Sequence, residues 1–181
     1  MDCIAYIDGG RIPGTKRTTV GGVLMRDDVE VARYSEVGGV GSNTDAEWQS
    51  LIRCLQLALE FGVTTLHIRT DARVVSEMLH TEYQILRSMI ADLELNPCNN
   101  GLRRALAIRT KESLHGIPEW RAWIERNRTS LEATYNLPAG YRAEILAAMA
   151  RLKLSVELVP REANAIADGL CRSAREHDSE R

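Results

Sequence analysis

Four acidic residues stand where a purely architectural role explains them poorly. Asp8 closes an apolar run directly ahead of Gly9-Gly10, and Glu47 falls in the first turn of a helical pattern. Asp71 ends a β-rich run, and Asp168 sits in an apolar-rich helical segment near the C-terminus. In an open sheet with parallel strands, ligands gather at the carboxyl ends of the strands. Asp8 and Asp71 meet there if their strands are neighbours, and Glu47 and Asp168 reach that edge from flanking helices. Carboxylates that converge with no Lys or Arg between them repel one another unless cations neutralise them. Hard divalent ions with oxygen ligands are the natural partners. Mg2+ is the first choice, because it takes few protein carboxylates and leaves room for substrate phosphate.

Each acid also has a structural reading. Thr44 and Glu47 spell a T-x-x-E capping box, and Asp8 suits a turn before two glycines. Asp71 suits the N-cap of a following helix. Asp168 can pair with Arg172 one helical turn on. No single position decides between the readings; the four together favour chemistry.

The elements that must hold these acids follow from periodicity. Cys3–Asp8 reads as a buried strand, Thr18–Arg26 as a second, and Val29–Val37 as a half-buried third joined through an Asp27-Asp28 turn. The Gly21-Gly22 pair predicts a bulge or a close backbone approach. Gly38–Asn43 reads as loop. From Thr44 the period becomes helical, with Gly62 placed to end the helix. Thr65–Thr70 reads as a fourth strand and Ala72–His80 as a second helix. That order adds a parallel crossover to an antiparallel meander, hence a mixed sheet covered by helices. Residues 81–153 read as helical, with breaks near Asn96-Pro97, Gly116-Ile117-Pro118 and Leu137-Pro138-Ala139-Gly140. Leu154–Val159 returns as a strand, and Glu162–Arg175 reads as the last helix.

With 181 residues, 44% of them hydrophobic and 27% charged, the chain fits one soluble domain. The expected layout is a single domain over 1–177, a helical insertion at about 81–153, and a flexible tail at 178–181. No apolar run is long enough to span a membrane. The four cysteines are scattered with no C-x-x-C pair, which fits a reducing, cytoplasmic setting. Charge is unevenly distributed. Residues 1–99 hold 9 Lys/Arg against 14 Asp/Glu, whereas residues 100–153 hold 10 against 5. An acidic body with one basic segment suits a metal-binding site beside a nucleic-acid surface, and chance clustering of solvated arginines explains the same counts.

The motifs in order carry a resemblance. Asp8-Gly9-Gly10 follows a strand, Ser42-Asn43-Thr44-Asp45-Ala46-Glu47 opens a helix, and Thr70-Asp71 closes a strand. Pro160-Arg161-Glu162-Ala163-Asn164-Ala165-Ile166-Ala167-Asp168 comes near the end. Together they resemble type 1 ribonuclease H over residues 3–80 and 154–175, and only loosely between. The resemblance implies an α/β, ribonuclease H-like fold: a mixed five-stranded sheet, three antiparallel strands plus two parallel, flanked by helices. It implies hydrolysis of the RNA strand of RNA–DNA hybrids with two Mg2+ ions, Mn2+ being a substitute. Asp8 would bridge both ions. Asp168 would help hold the ion carrying the attacking water, and Glu47 and Asp71 the ion at the leaving 3′ oxygen. Gly9, Gly10 and the Ser42-Asn43-Thr44 loop would approach the sugar-phosphate backbone.

The chain departs from the common pattern in two places. No histidine lies between Leu154 and Asp168. Arg161 matches the arginine found there in a histidine-lacking, archaeal-like branch, which makes it a catalytic candidate; a helix-start surface arginine is the other reading. Ala72-Arg73 stands where the family has Ser-Gln, so Arg73 becomes the candidate hybrid contact. Arg121, Arg126 and Arg128, interleaved with Trp120 and Trp123, could grip a duplex, although tryptophans packed in a core with arginines outside is the simpler arrangement. A protein partner docking on 81–153 is a further expectation. A non-cleaving nucleic-acid or protein binding module on the same fold is the alternative function. A proofreading-type exonuclease fits poorly, because its D-x-E would place an acid where Gly10 stands.

Overall fold

The computed structural model describes residues 1–79, 82–112, 114–132 and 139–179. Its elements are β1 (Asp2–Arg11), β2 (Arg17–Arg26), β3 (Val29–Val40), α1 (Asn43–Glu60), β4 (Thr65–Thr70), α2 (Arg73–Leu79) and α3 (Glu82–Leu95). They continue as α4 (Asn100–Thr110), α5 (Ile117–Glu132), α6 (Ala139–Met149), β5 (Lys153–Leu158), a 3-10 turn (Arg161–Asn164) and α7 (Ala165–Ser179). The chain forms two compact units, Met1–Glu77 with Leu137–Arg181, and Met78–Asn136.

The first unit is built on a five-stranded sheet of order β3-β2-β1-β4-β5. β1, β2 and β3 pair antiparallel, while β4 lies parallel to both β1 and β5. Both residues of the β2–β3 turn, Asp27 and Asp28, have positive φ (50° and 62°), the geometry that matches the twist of a tight hairpin. β3 runs on through Gly38-Gly39 to Val40 because Arg17 and Thr19 of β2 pair with it there. Local composition reads this stretch as loop, and cross-strand bonding overrides it.

Strand alternation sorts the core. Cys3, Ala5 and Ile7 are buried on one face of β1, in line with Leu66 and Ile68 of β4 and Val156 of β5. α1 packs on β1, β2 and β3 through Leu51, Leu55 and Ala58, and α6 packs on α1. α7 packs on the same three strands. A Cβ on Gly9 would strike α1, whereas one on Gly10 or Gly21 would strike α7, so the two helices cover opposite faces. That double cover is why Thr18–Leu24 of β2 is buried throughout. Each fully buried Leu or Ile here contributes about 1.5–3 kcal/mol. α7 reaches Ser179, further than the sequence indicates, and Asp178 on it accepts from Arg17 at 2.6 Å.

The helical unit holds α3 against α4 and α5 around Leu86, Leu93, Leu106, Trp120 and Ile124. Asn99 caps α4 by accepting from the Leu102 amide at 3.0 Å, and Lys111 ends it in the left-handed conformation. Trp120 is buried beneath the Arg103 guanidinium, the core arrangement rather than a base-stacking one. The break expected at Leu137-Pro138 lies outside the described residues. No helix among the described residues is long and apolar enough to cross a membrane.

Gly21 is a point of backbone contact, since an added Cβ would stand 2.3 Å from the Cys171 nitrogen. Gly169 on exposed α7 has nothing within 4 Å. Gly21→Ala should therefore lower unfolding stability by about 1–3 kcal/mol or more through overpacking. Gly169→Ala should raise it by up to about 1 kcal/mol through helix propensity. Urea unfolding of both variants checks the pair.

Candidate active site

The parallel β1–β4 ladder ends at Tyr6↔Arg69. Alternation then carries Asp8 and Asp71 onto one face, just past the last rung, where backbone pairing no longer ties the strands. Asn164, in the 3-10 turn, bridges the gap: its Nδ2 donates to the Ile7 carbonyl at 2.9 Å and to Asp71 Oδ1 at 2.7 Å. α2 begins at Arg73, so Ala72 rather than Asp71 stands at its cap position.

Glu47 is brought in by α1. The capping box of that helix is Ser42 with Asp45, not Thr44 with Glu47: the Asp45 amide donates to Ser42 Oγ at 3.1 Å, and the Ser42 amide donates to Asp45 Oδ2 at 2.7 Å. Glu47 is thereby free of capping duty and accepts from the Gly9 amide at 3.2 Å. That contact requires glycine, because a Cβ at Gly9 would lie 2.3 Å from the Ala46 backbone.

Asp168 comes from the first turn of α7. Arg161 Nη2 donates to its Oδ1 and Arg172 Nη2 to its Oδ2, both at 2.6 Å. The expected pairing with Arg172 therefore forms, and a second guanidinium joins it. Arg161 itself is 71% exposed and open to solvent on its outer side.

The electrostatics separate the four acids. Burial raises the Asp8 carboxyl to about 6, and the neighbouring Asp71 and Asp168 charges push it further the same way. The Cys171 thiol and Arg161 oppose that shift. Glu47 is raised to about 9 by burial, then by Asp8 and Asp71. Asp168 is instead held below the ordinary carboxylate range, mainly by its bond from Arg161. Among the described residues, no three His, Cys, Asp or Glu side chains close on one point as a finished metal cage. The donor chemistry nonetheless suits a hard divalent cation: the acids present oxygen only, and two of them are costly to ionise as they stand. Asn164 Oδ1, buried beside Asp71 with no donor, also fits a group that brings hydration with it.

The candidate substrate contacts are more dispersed. Gly9 and Gly10 face α1 and α7 with their α-carbons, leaving only backbone to meet a ligand. Ser42, Asn43 and Thr44 are exposed at the start of α1, and Arg73 is exposed at the start of α2. Arg121 and Arg126 belong to the helical unit, where Arg121 pairs with Glu94. Arg128 lies in α5, and its side chain falls outside the described residues. Sequence reasoning missed Asn164 and Cys171. The available signals were an Asn inside the P-R-E-A-N-A-I-A-D run and a Cys on the buried side of the following helix, where its Sγ sits 3.1 Å from Thr19 Oγ1.

A raised acid holds its proton in the folded chain at pH values where the unfolded chain has lost it. Stability in chelator should therefore be greatest below the ordinary carboxylate range and fall as pH rises toward about 6 for Asp8 and about 9 for Glu47. Glu47→Gln should flatten the fall between pH 5 and 9. Chemical unfolding of both proteins across that range checks the sign, and parallel curves would contradict it.

Comparison with known proteins agrees with this architecture. Residues 7–95 match the reverse transcriptase-like family. The chain is 27% identical over 117 residues to ribonuclease HI of Halobacterium salinarum, covering 64% of this chain and 52% of that protein. It thus spans about half the length of the curated relative it matches. Among solved structures, an RNase H1 isolated from compost, in complex with an RNA/DNA hybrid, aligns with TM-score 0.60 at 19% identity, covering 98% of this chain and 99% of that one. The N-terminal RNase H domain of a Mycobacterium tuberculosis protein aligns with TM-score 0.59 at 18% identity, covering 97% and 99%. At these identities the structures establish the fold. With strand order, motif order and the sequence matches in agreement, the chain carries a ribonuclease H-like fold in which residues 7–95 are similar to the reverse transcriptase-like family, consistent with type 1 ribonuclease H.

Proposed function

We propose that the protein is a metal-dependent endoribonuclease that hydrolyses the RNA strand of RNA–DNA hybrids. The observation that carries this reading is the convergence of Asp8, Glu47 and Asp71 at one sheet edge, where Asp71 adds to the cost of ionising Asp8, and Asp8 and Asp71 together add to that of Glu47. The similarity to ribonuclease HI and to a hybrid-bound RNase H1 supports the substrate class.

Asp8, Glu47, Asp71 and Asp168 would hold two divalent ions, Mg2+ in the first instance with Mn2+ as substitute. Such ions lower the pKa of a bound water and stabilise the departing oxygen of an in-line displacement. Asp8 is central because it feels both Asp71 and Asp168, which suits it to share between two ions. Burial keeps Asp8 and Glu47 poorly solvated, so a bound cation gains more from them than from exposed acids. Arg161 holds Asp168 with one nitrogen and leaves the rest of its guanidinium to solvent. From there it can donate to a phosphate oxygen, a task that fits its place where other family members carry histidine. The Gly9-Gly10 backbone, Ser42, Asn43, Thr44 and Arg73 offer short donors and one cation to a sugar-phosphate backbone. Arg121, Arg126 and Arg128 are proposed as phosphate contacts from the helical unit, with a protein partner on that unit as the other use of its basic surface. Four described free cysteines accord with the reducing, cytoplasmic compartment this proposal includes.

Chelation should abolish cleavage of a labelled hybrid, and Asp8→Asn or Asp71→Asn should reduce it nearly to background. Arg161→Ala should cost about 10²-fold in rate, as loss of one preorganised donor does. Its stability should stay within about 1 kcal/mol, as expected for an exposed ion pair. Hybrid binding without cleavage by the wild-type chain in Mg2+ and in Mn2+ would favour the binding-module reading. Wild-type rates in Asp8→Asn would overturn the assignment of the acids.

A further inference from the structure

We propose that Asn164 is a positioning residue that sets the metal affinity of the carboxylate cluster by holding Asp71 to the end of β1. The inference rests on the metal-dependent reading above and deepens it. Asn164 is fully buried. Both N–H groups of its amide are spent, one on the Ile7 carbonyl at 2.9 Å and one on Asp71 Oδ1 at 2.7 Å. Because those partners only accept, the amide has one admissible orientation. The β1–β4 ladder stops at Tyr6↔Arg69. Past that rung, the Asn164 amide spans the strand ends that carry Asp8 and Asp71.

The type of partner is informative. Asp168 is held by two guanidinium groups, which neutralise it as well as orient it. Asp71 is held by a neutral amide, which fixes one carboxylate oxygen and leaves the negative charge for a cation. Asn164 itself has one unmet demand: its own Oδ1 is buried with no hydrogen-bond partner. A buried acceptor without a donor costs about 1–3 kcal/mol. Mg2+ and similar ions keep several of their waters when bound to few carboxylates, so a hydrated ion at Asp71 would carry donors to that oxygen. Groups that orient metal ligands in this way commonly change metal affinity about 10–100-fold when removed.

The test is a calorimetric titration of the substrate-free 181-residue chain with Mn2+, for wild type, Asn164→Ala, Asn164→Ser and Asp71→Asn. Metal-free thermal unfolding of each protein accompanies it. Both Asn164 variants should bind Mn2+ about 10–100-fold more weakly than wild type while still unfolding cooperatively. Asn164→Ser retains a small polar side chain, and it decides the matter if Asn164→Ala does not fold. A purely architectural Asn164 would lower the melting temperature and leave Mn2+ affinity within about threefold of wild type. That result overturns this inference and leaves the metal reading standing. Failure of the wild-type chain to bind Mn2+ overturns both.

Discussion

Negative charge crowded into a half-buried corner is the constraint around which this molecule is organised. Two unit charges 4 Å apart repel by about 4 kcal/mol at the effective dielectric of a protein surface. A fold bears such a cost only if it gains elsewhere, and here the gain is the apolar sheet–helix core a few residues away. Cys3, Ala5 and Ile7 are buried along the strand that ends in Asp8, and Leu66 and Ile68 along the strand that leads to Asp71. The rigid part of the sheet is thus the handle, and the acids are its projecting end.

The four acids are restrained with graded strength. Asp168 has two guanidinium partners, Asp71 an amide, Glu47 a single backbone N–H, and Asp8 a neighbouring thiol. Neutralisation therefore falls off from the exposed side of α7 toward the buried strand end. On the proposed reading, an ion entering this corner would meet the least compensated carboxyls at Asp8 and Glu47, the two whose burial disfavours ionisation. Binding would then draw most on the carboxyls that are least solvated. The glycines serve the same end mechanically, since only a residue without Cβ lets α1 come close enough to β1 for Glu47 to reach the Gly9 amide.

Much of this was legible from the sequence, for definite reasons. Thr65–Thr70 reads as a strand with its observed ends because a β-rich hexamer is bounded by Gly62 upstream and by Asp71, and tertiary pairing agrees with local preference. The order of motifs indicates the mixed sheet, since a helix between β3 and β4 forces a crossover. The sequence reads the capping box at Thr44 and Glu47, because Glu is the usual third residue of that motif; the helix is instead capped by Ser42 with Asp45, which leaves Glu47 free. The extension of β3 through Gly38-Gly39 was hidden because it depends on pairing with Arg17 and Thr19, distant in the chain. Asn164 was overlooked because nothing local distinguishes an Asn that bridges two strand ends from one that caps a turn.

The central claim is that the carboxylate corner is completed by divalent cations, and anomalous scattering from crystals grown with Mn2+ tests it most directly. The account predicts anomalous density bounded by Asp8, Glu47 and Asp71, lost in crystals of Asp8→Asn grown under the same conditions. Well-ordered crystals in saturating Mn2+ with those carboxyls resolved and no anomalous density among them would contradict it.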